Sequence, residues 1–308
     1  NGVDGLSSIA IAAWRGRGDV LKLLDDRGVA IALTGVERLV AACARGDDVL
    51  ARTIAGEQTD LVRALRIRGA TLLSQFAGVG NDRFAKGVAF GDYDGDGDPD
   101  IYVSNIGPNR LYRNNGDGTF TDVAPELGVT EPAGRSFSTW FFDYDQDGDL
   151  DLFVAAYLAD GADVAADLFG HPPTNPAIWP RLYRNDAGRF TAVTRAAGLA
   201  HAHLPMGANF GDLNEDGFPE IYLGTGAPAY EMLIPNALYL NNGDGTFTDV
   251  TFSAGVGHLQ KGHGVSFADL DNDGDQDLFH QLGGFFPGDK FTSALFLNPG
   301  RSAPGLSP

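Results

Sequence analysis

The chain has 308 residues, 43% hydrophobic and 20% charged, and a formal net charge of −19. That length suits about two globular domains, and no apolar run reaches the 18 residues that a membrane-spanning helix needs. The acid excess excludes nucleic acid as a partner, because phosphate binding requires a basic footprint. The single Cys43 allows no intrachain disulfide. The chain opens at Asn1 with no visible signal sequence, which predicts a processed start or a fragment. Charge is unevenly spread: residues 1–75 carry 10 Lys+Arg and 9 Asp+Glu, whereas residues 76–308 carry 12 and 32.

Residues 1–75 are predicted to be helical repeats. Residues 4–29 run without a gap along an ankyrin-like pattern, with Ala12-Ala13, Gly16, Val20, Leu23-Leu24 and Gly28 on matching positions. Ser7-Ser8-Ile9-Ala10 replaces the usual Thr-Pro-Leu-His. Leu39 to Asp47 is expected as one helix, Val49 to Ile54 as the next, and Leu61 to Ile67 as another. Small residues on one helix facing leucines on its neighbour are what stacked helix pairs need. Any helical hairpin array would show the same pattern.

From Phe76 the composition turns to Gly, Asp, Asn and aromatic residues. Asp92-Tyr-Asp-Gly-Asp-Gly-Asp-Pro-Asp100 recurs as Asp143, Asp145, Asp147, Gly148, Asp151 and as Asp269, Asp271, Asp273, Gly274, Asp277. A looser copy has Asp212, Asn214, Asp216, Gly217 and Glu220. Each copy sets oxygen ligands at positions 1, 3, 5 and 9 and glycine at 6. Calcium takes six to eight hard oxygen ligands with little directional preference, so a tight loop can turn these side chains onto one ion. Glycine permits the sharp turn, and the carbonyl at position 7 (Asp98, Asp149, Phe218, Asp275) completes the shell. A solvated acidic turn is the plainer reading of one copy, and four copies in register favour calcium. About four ions are expected, one per loop. An EF-hand would need glutamate at position 12, where this chain has Val103, Val154, Leu223 and His280.

Short apolar β-type runs flank each loop, such as Val88-Ala-Phe90 before and Asp100-Ile-Tyr-Val103 after, so each loop joins two adjacent strands. A second signature follows: Leu111-Tyr-Arg-Asn-Asn-Gly-Asp-Gly-Thr-Phe-Thr-Asp-Val123, repeated at Leu238–Val250, shortened at Leu182–Val193 and begun at Leu295-Phe-Leu-Asn298. Asn-Gly-Asp-Gly between alternating runs marks a hairpin. One unit is thus four strands, A to D, with calcium loops between A and B and the fourth unit lacking D. First acids lie 51, 69 and 57 residues apart, a period that fits propeller blades.

The Asp-x-Asp-x-Asp-Gly-x-x-Asp loops resemble the FG-GAP/VCBS-type repeat, also seen in integrin α-subunit heads. The Leu-Tyr-Arg-Asn-Asn-Gly-Asp-Gly-Thr-Phe signature is similar to bacterial relatives of cartilage acidic protein, whose repeats usually precede an ASPIC/UnbV domain. The resemblance covers residues 76–298, and no ASPIC/UnbV segment lies within the chain. The expected fold is mainly β, a partial β-propeller of about four four-stranded blades with an N-terminal α-helical ankyrin-like block at 1–75 and a linker-like tail at 299–308. Propellers need at least four blades, so an open partial ring, a piece of a larger ring or a ring completed by another chain is expected.

Calcium loops fall on one face of the blades, and the B–C and D–A connections on the other. The second B–C connection, Ala156 to Arg181, carries an insertion with Phe169, His171, Pro172-Pro173 and Trp179; the third and fourth carry Tyr230 and Phe285-Phe286. Long loops on a rigid scaffold are where binding resides; packing of these aromatics within their own loops is the equal alternative. No Gly-x-Ser-x-Gly, His-Glu-x-x-His or phosphate loop occurs. His201-x-His203 and His258-x₄-His263 lack a third metal ligand nearby in sequence. The expectation is a non-enzymatic calcium-binding protein of extracellular, cell-surface or periplasmic recognition, adhesion or assembly. Its partner would be a protein or glycan on the B–C/D–A face, with possible self-association through the open edge. A filament or ring subunit, and a polysaccharide-active enzyme with structural calcium, are the alternatives.

Overall fold

A computed structural model of the protein describes residues 8–14, 17–57, 74, 77–226, 234–259, 261–283 and 291–300. The chain divides into two compact units, Asn1–Asp82 with Asn114–Asp122, and Arg83–Arg113 with Val123–Pro308.

The first unit contains helices α1 (Ser8–Trp14), α2 (Gly18–Asp26), α3 (Gly35–Ala44) and α4 (Asp48–Glu57). Alanines let these short helices approach closely: Ala10, Ala13, Val40 and Ala41 close around Leu21, and Leu39 and Ala42 meet Ile54. Helix α3 stops at Ala44 instead of running to Asp47. Gly46 takes a left-handed φ of 67°, and the Gly46 and Asp47 amides cap the Cys43 and Ala42 carbonyls, the usual glycine stop. The helix expected at Leu61–Ile67 lies outside the described residues.

The rest is mainly β. Fifteen strands among the described residues build four antiparallel sheets, each in simple chain order. They are β1 (Phe84–Gly91), β2 (Asp100–Ile106), β3 (Arg110–Asn114) and β4 (Phe120–Asp122), then β5 (Ser136–Phe142), β6 (Asp151–Ala156), β7 (Arg181–Asn185) and β8 (Phe190–Ala192). The third sheet has β9 (Pro205–Gly211), β10 (Glu220–Thr225), β11 (Ala237–Asn241) and β12 (Phe247–Asp249); the fourth has β13 (Gly262–Ala268), β14 (Asp277–Leu282) and β15 (Ala294–Phe296). Each acidic loop closes a ladder whose last pair joins the residue before position 1 to the acid at position 9: Gly91 with Asp100, Phe142 with Asp151, Gly211 with Glu220, and Ala268 with Asp277.

The sheets stack face to face in a propeller-like arrangement, with β5 packed against β1 and β9, and β9 against β13. Residues on both faces of a middle sheet are apolar, because each face meets a neighbour. Leu152 and Val154 join Tyr102 and Leu111 of the first sheet, while Phe153 and Leu182 join Ile221 and Tyr239 of the third. The first strands come so close that a Cβ on Gly207 would lie 1.1 Å from the His263 carbonyl oxygen. The two end sheets are the exceptions: in the first, Val88 and Phe90 of β1 are 52% and 68% exposed, and in the fourth the outward face is open too. Leu295 is 49% exposed, whereas Leu111, Leu182 and Leu238 at the same place in the other sheets are at most 1% exposed.

The insertion after β6 is half folded inward. Helix α6 (Gly161–Leu168) starts in a capping box between Asp160 and Asp163. The buried Trp179 donates to the Pro173 carbonyl at 3.2 Å and packs with Val164, Ile178 and Leu204. Phe169 and His171 are exposed. A four-residue helix α5 (Ala124–Leu127) links the first sheet to the second. Tyr230 and Phe285-Phe286 lie outside the described residues. Among the described residues no helix is long and apolar enough to cross a membrane.

Candidate metal loops

Each loop is built by its own carboxylates. The first acid accepts the amides of positions 5 and 6: Asp92 from Asp96 and Gly97, Asp143 from Asp147 and Gly148, Asp212 from Asp216 and Gly217, and Asp269 from Asp273 and Gly274, all at 2.9–3.2 Å. The acid at 5 accepts the amide of position 7, so Asp96, Asp147, Asp216 and Asp273 hold Asp98, Asp149, Phe218 and Asp275. The glycine at 6 has φ of 92–104° in all four loops, the left-handed region that a side chain resists. Position 4 is left-handed too, with Gly95 at 72°, Gln146 at 59°, Glu215 at 53° and Asn272 at 65°. The sequence spacing does not reveal that second turn.

The acid at position 9 opens the second strand of each sheet and is fully buried. Asp100, Asp151, Glu220 and Asp277 accept the amide of position 2 at 2.7–3.1 Å, from Tyr93, Tyr144, Leu213 and Leu270. Asp151 and Asp277 also accept the amides of Asn185 and Asn298. These acids therefore clamp the loop ends as well as standing near its centre.

Among the described residues, three groups of acids bring oxygens within 4.8 Å of one another and can hold a metal ion: Asp92, Asp94 and Asp96; Asp143, Asp145 and Asp151; and Asp269, Asp271 and Asp273. The third loop is different. Asn214 donates to Asp216 at 2.9 Å and accepts its amide at 3.1 Å, which quiets part of the repulsion internally. At position 7, one Asp149 oxygen takes the Ala187 amide of the neighbouring hairpin at 2.8 Å.

The donors fit a hard cation. They are all oxygen, the type that calcium and magnesium prefer, and several are left without partners. One oxygen each of Asp94, Asp145, Glu220 and Asp275 is buried with no hydrogen bond. Burial raises the Asp94 and Asp145 carboxyls above the usual range, with the neighbouring acids adding to it. Burial also pushes Asp151 up to about 7 and Glu220 up to about 8. Buried carboxylates are costly unless a cation or proton compensates them.

A set of residues that the spacing did not single out joins the loops to one another. The Asn185 side chain donates to the Tyr93 carbonyl of the first loop at 2.7 Å and to the Leu150 carbonyl of its own loop at 3.0 Å. Asn241 does the same with Tyr144 and Pro219, and Asn298 with Leu213 and Gln276. Each asparagine thus ties its own loop to the loop of the preceding sheet. The signal was present in the repeated Leu-Tyr-x-Asn and Leu-Phe-Leu-Asn runs, where it reads as part of a hairpin.

The histidine pairs serve other bonds. His201 Nδ1 lies 3.1 Å from Asp167, His203 Nε2 lies 2.6 Å from the Tyr239 hydroxyl, and His258 contacts Asn236 and His280.

Residues 92–154 and 233–280 match the family described as FG-GAP-like repeat. Those two stretches, together about a third of the chain, are similar to FG-GAP-like repeats. The chain is similar to cartilage acidic protein 1 of Homo sapiens, at 36% identity over 77 residues, covering 25% of this chain and 12% of that protein. The Xenopus tropicalis protein of the same name is 34% identical over 89 residues, covering 28% and 14%. The match thus spans only about an eighth of those relatives. Among solved structures, an Agrocybe aegerita lectin specific for non-reducing terminal N-acetylglucosamine overlays 75% of this chain and 54% of its own, with a TM-score of 0.42 and 20% identity. The V. cholerae biofilm matrix protein Bap1 overlays 72% and 40%, with a TM-score of 0.33 and 14% identity.

Proposed function

We propose that the FG-GAP-like repeats are calcium sites that stiffen a propeller-like scaffold used for recognition or adhesion outside the cell. The observation that carries this reading is the set of buried, partnerless carboxylate oxygens on the loop acids Asp94, Asp145 and Glu220. Asp92, Asp94, Asp96 and Asp100 would hold the first ion with the Asp98 carbonyl. Asp143, Asp145, Asp147 and Asp151 would hold the second with the Asp149 carbonyl, and Asp269, Asp271, Asp273 and Asp277 the fourth with that of Asp275. Asp212, Asn214, Asp216, Glu220 and the Phe218 carbonyl would form a third, weaker site. Bound calcium supplies the positive charge that these carboxylates lack; it performs no chemistry. Calcium near millimolar outside cells suits loops of this kind. The recognition surface in this reading is the B–C/D–A face, with a protein or glycan as ligand.

Calcium titration of the protein and of two variants tests the metal reading. An ion bound only by the folded state stabilises it by roughly 2.7 kcal/mol per site at a hundred times Kd, so chelator should lower the melting temperature sharply. Asp94→Ala should cost more calcium-dependent stability than Asn214→Ala, because fewer carboxylates weaken a site. An unchanged melting curve in chelator would remove the metal reading, and equal costs would remove the ranking.

A second reading, a subunit that assembles through the fourth sheet, is favoured by one observation. Leu270, Phe279, Leu295 and Leu297 are exposed there, whereas their counterparts in the third sheet are buried against a neighbour.

A further inference from the structure

On the face away from the acidic loops, a cavity of about 260 Å³ opens between helix α6 and the third sheet. We infer that it is a binding site for one uncharged, hydroxyl-rich sugar ring. This assignment deepens the recognition reading above and rests on it.

Four segments from two neighbouring sheets build the walls. The α6 helix contributes Asp167 and the exposed Leu168, the connection into β9 contributes His201 and His203, the third sheet contributes Tyr239 and Asp249, and the turn after β12 contributes Phe252. The floor is polar and uncharged. The His203 imidazole meets the Tyr239 hydroxyl at 2.6 Å, and burial pulls its pKa down to about 4, so it is neutral at physiological pH. Asp167 is itself held, by His201 Nδ1 at 3.1 Å and the Ala202 amide at 2.6 Å, and this fixes the half-exposed imidazole at the mouth. One oxygen of Asp249 accepts the Thr251 amide at 2.9 Å. The Phe252 ring is 71% exposed.

The lining selects the ligand class. It contains two aspartates and no lysine or arginine, so a phosphate, sulfate or uronate would meet repulsion with nothing to offset it. A purely apolar ligand would strip water from both carboxylates and the imidazole without replacing those bonds. A sugar ring answers both halves of the surface, because its hydroxyls donate to carboxylates and its C–H face lies on an aromatic ring. Size agrees, since drug-sized ligands occupy about 300–1,000 Å³ and this cavity is smaller, which leaves room for one ring at the end of, or along, a glycan.

The test is calorimetric titration of the calcium-loaded protein with methyl glycosides of neutral hexoses and N-acetylhexosamines, against a methyl uronide and methylamine. A neutral glycoside should bind, and both Phe252→Ala and Asp249→Asn should weaken it about tenfold or more while the melting curve stays unchanged. Phe252 is exposed and asparagine keeps the acceptor for Thr251, so both variants should fold. Neutral glycosides that bind wild type and both variants alike would overturn the pocket while leaving the recognition reading standing. Equal or tighter binding of the uronide or of methylamine, or no glycoside binding at all, would overturn the sugar assignment. The chelator melting curve decides the calcium reading separately.

Discussion

Asn241 shows how much a single side chain carries in this scaffold. It is buried, its amide group reaches the Tyr144 carbonyl in one loop and the Pro219 carbonyl in another, and its oxygen takes the Gly243 amide at 3.1 Å. Asn241→Ala leaves buried carbonyls without a donor, which costs about 1–3 kcal/mol. The neighbouring Asn242 is exposed and bonds only within its hairpin, to Thr246 and Thr248. Asn242→Ala should therefore stay within about 0.5 kcal/mol of wild type. Denaturant unfolding of the two variants is the measurement. Similar losses from both would mean that the asparagine does not hold adjacent loops together. Its place in the repeat was legible in the sequence, but its role was not, because the carbonyl that it reaches belongs to the preceding repeat.

At the scale of the element, the first strands of neighbouring sheets are limited by backbone contact. Gly207 in β9 faces the His263 carbonyl of β13, and any Cβ there must displace main chain rather than a side chain. Overpacking of this kind costs about 1–3 kcal/mol or more. Gly264 in β13 offers the contrast, because a Cβ there meets only the Gln281 side chain, its Cβ at an ordinary 3.5 Å and its oxygen at 3.0 Å, and that oxygen can rotate away. Thermal unfolding should rank Gly207→Ala well below Gly264→Ala in stability. The reverse order would show that the strands can separate freely. Strand order and hairpins were readable from alternation and from Asn-Gly-Asp-Gly. The close approach was not, since a glycine in a strand has several readings.

For the whole molecule, the outward face of the fourth sheet sets the behaviour in solution. Leu270, Phe279, Leu295 and Leu297 form an apolar surface of the kind that marks an interaction site, and among the described residues β15 is an edge strand of its sheet. The protein should self-associate as its concentration rises, and Leu295→Glu should weaken that association by setting a charge on that face. Sedimentation velocity over a concentration series checks this. A wild-type chain that stays monomeric at the highest concentration would rule out assembly through the fourth sheet.

The sequence by itself determined what lies within one repeat. Nine residues contain the acids, the glycine and the flanking strands of a loop, and a hairpin signature needs only its own dozen residues, so local sterics and charge suffice. Tertiary structure alone decided what joins one repeat to the next. The asparagine bonds connect residues 85 to 97 positions apart, Asp151 enters its acid group by opening a strand that packs in the core, and the cavity draws its lining from Val164 to Phe252. Those contacts depend on how sheets stack, and the insertion after β6, whose length no local rule sets, decides where α6 lands.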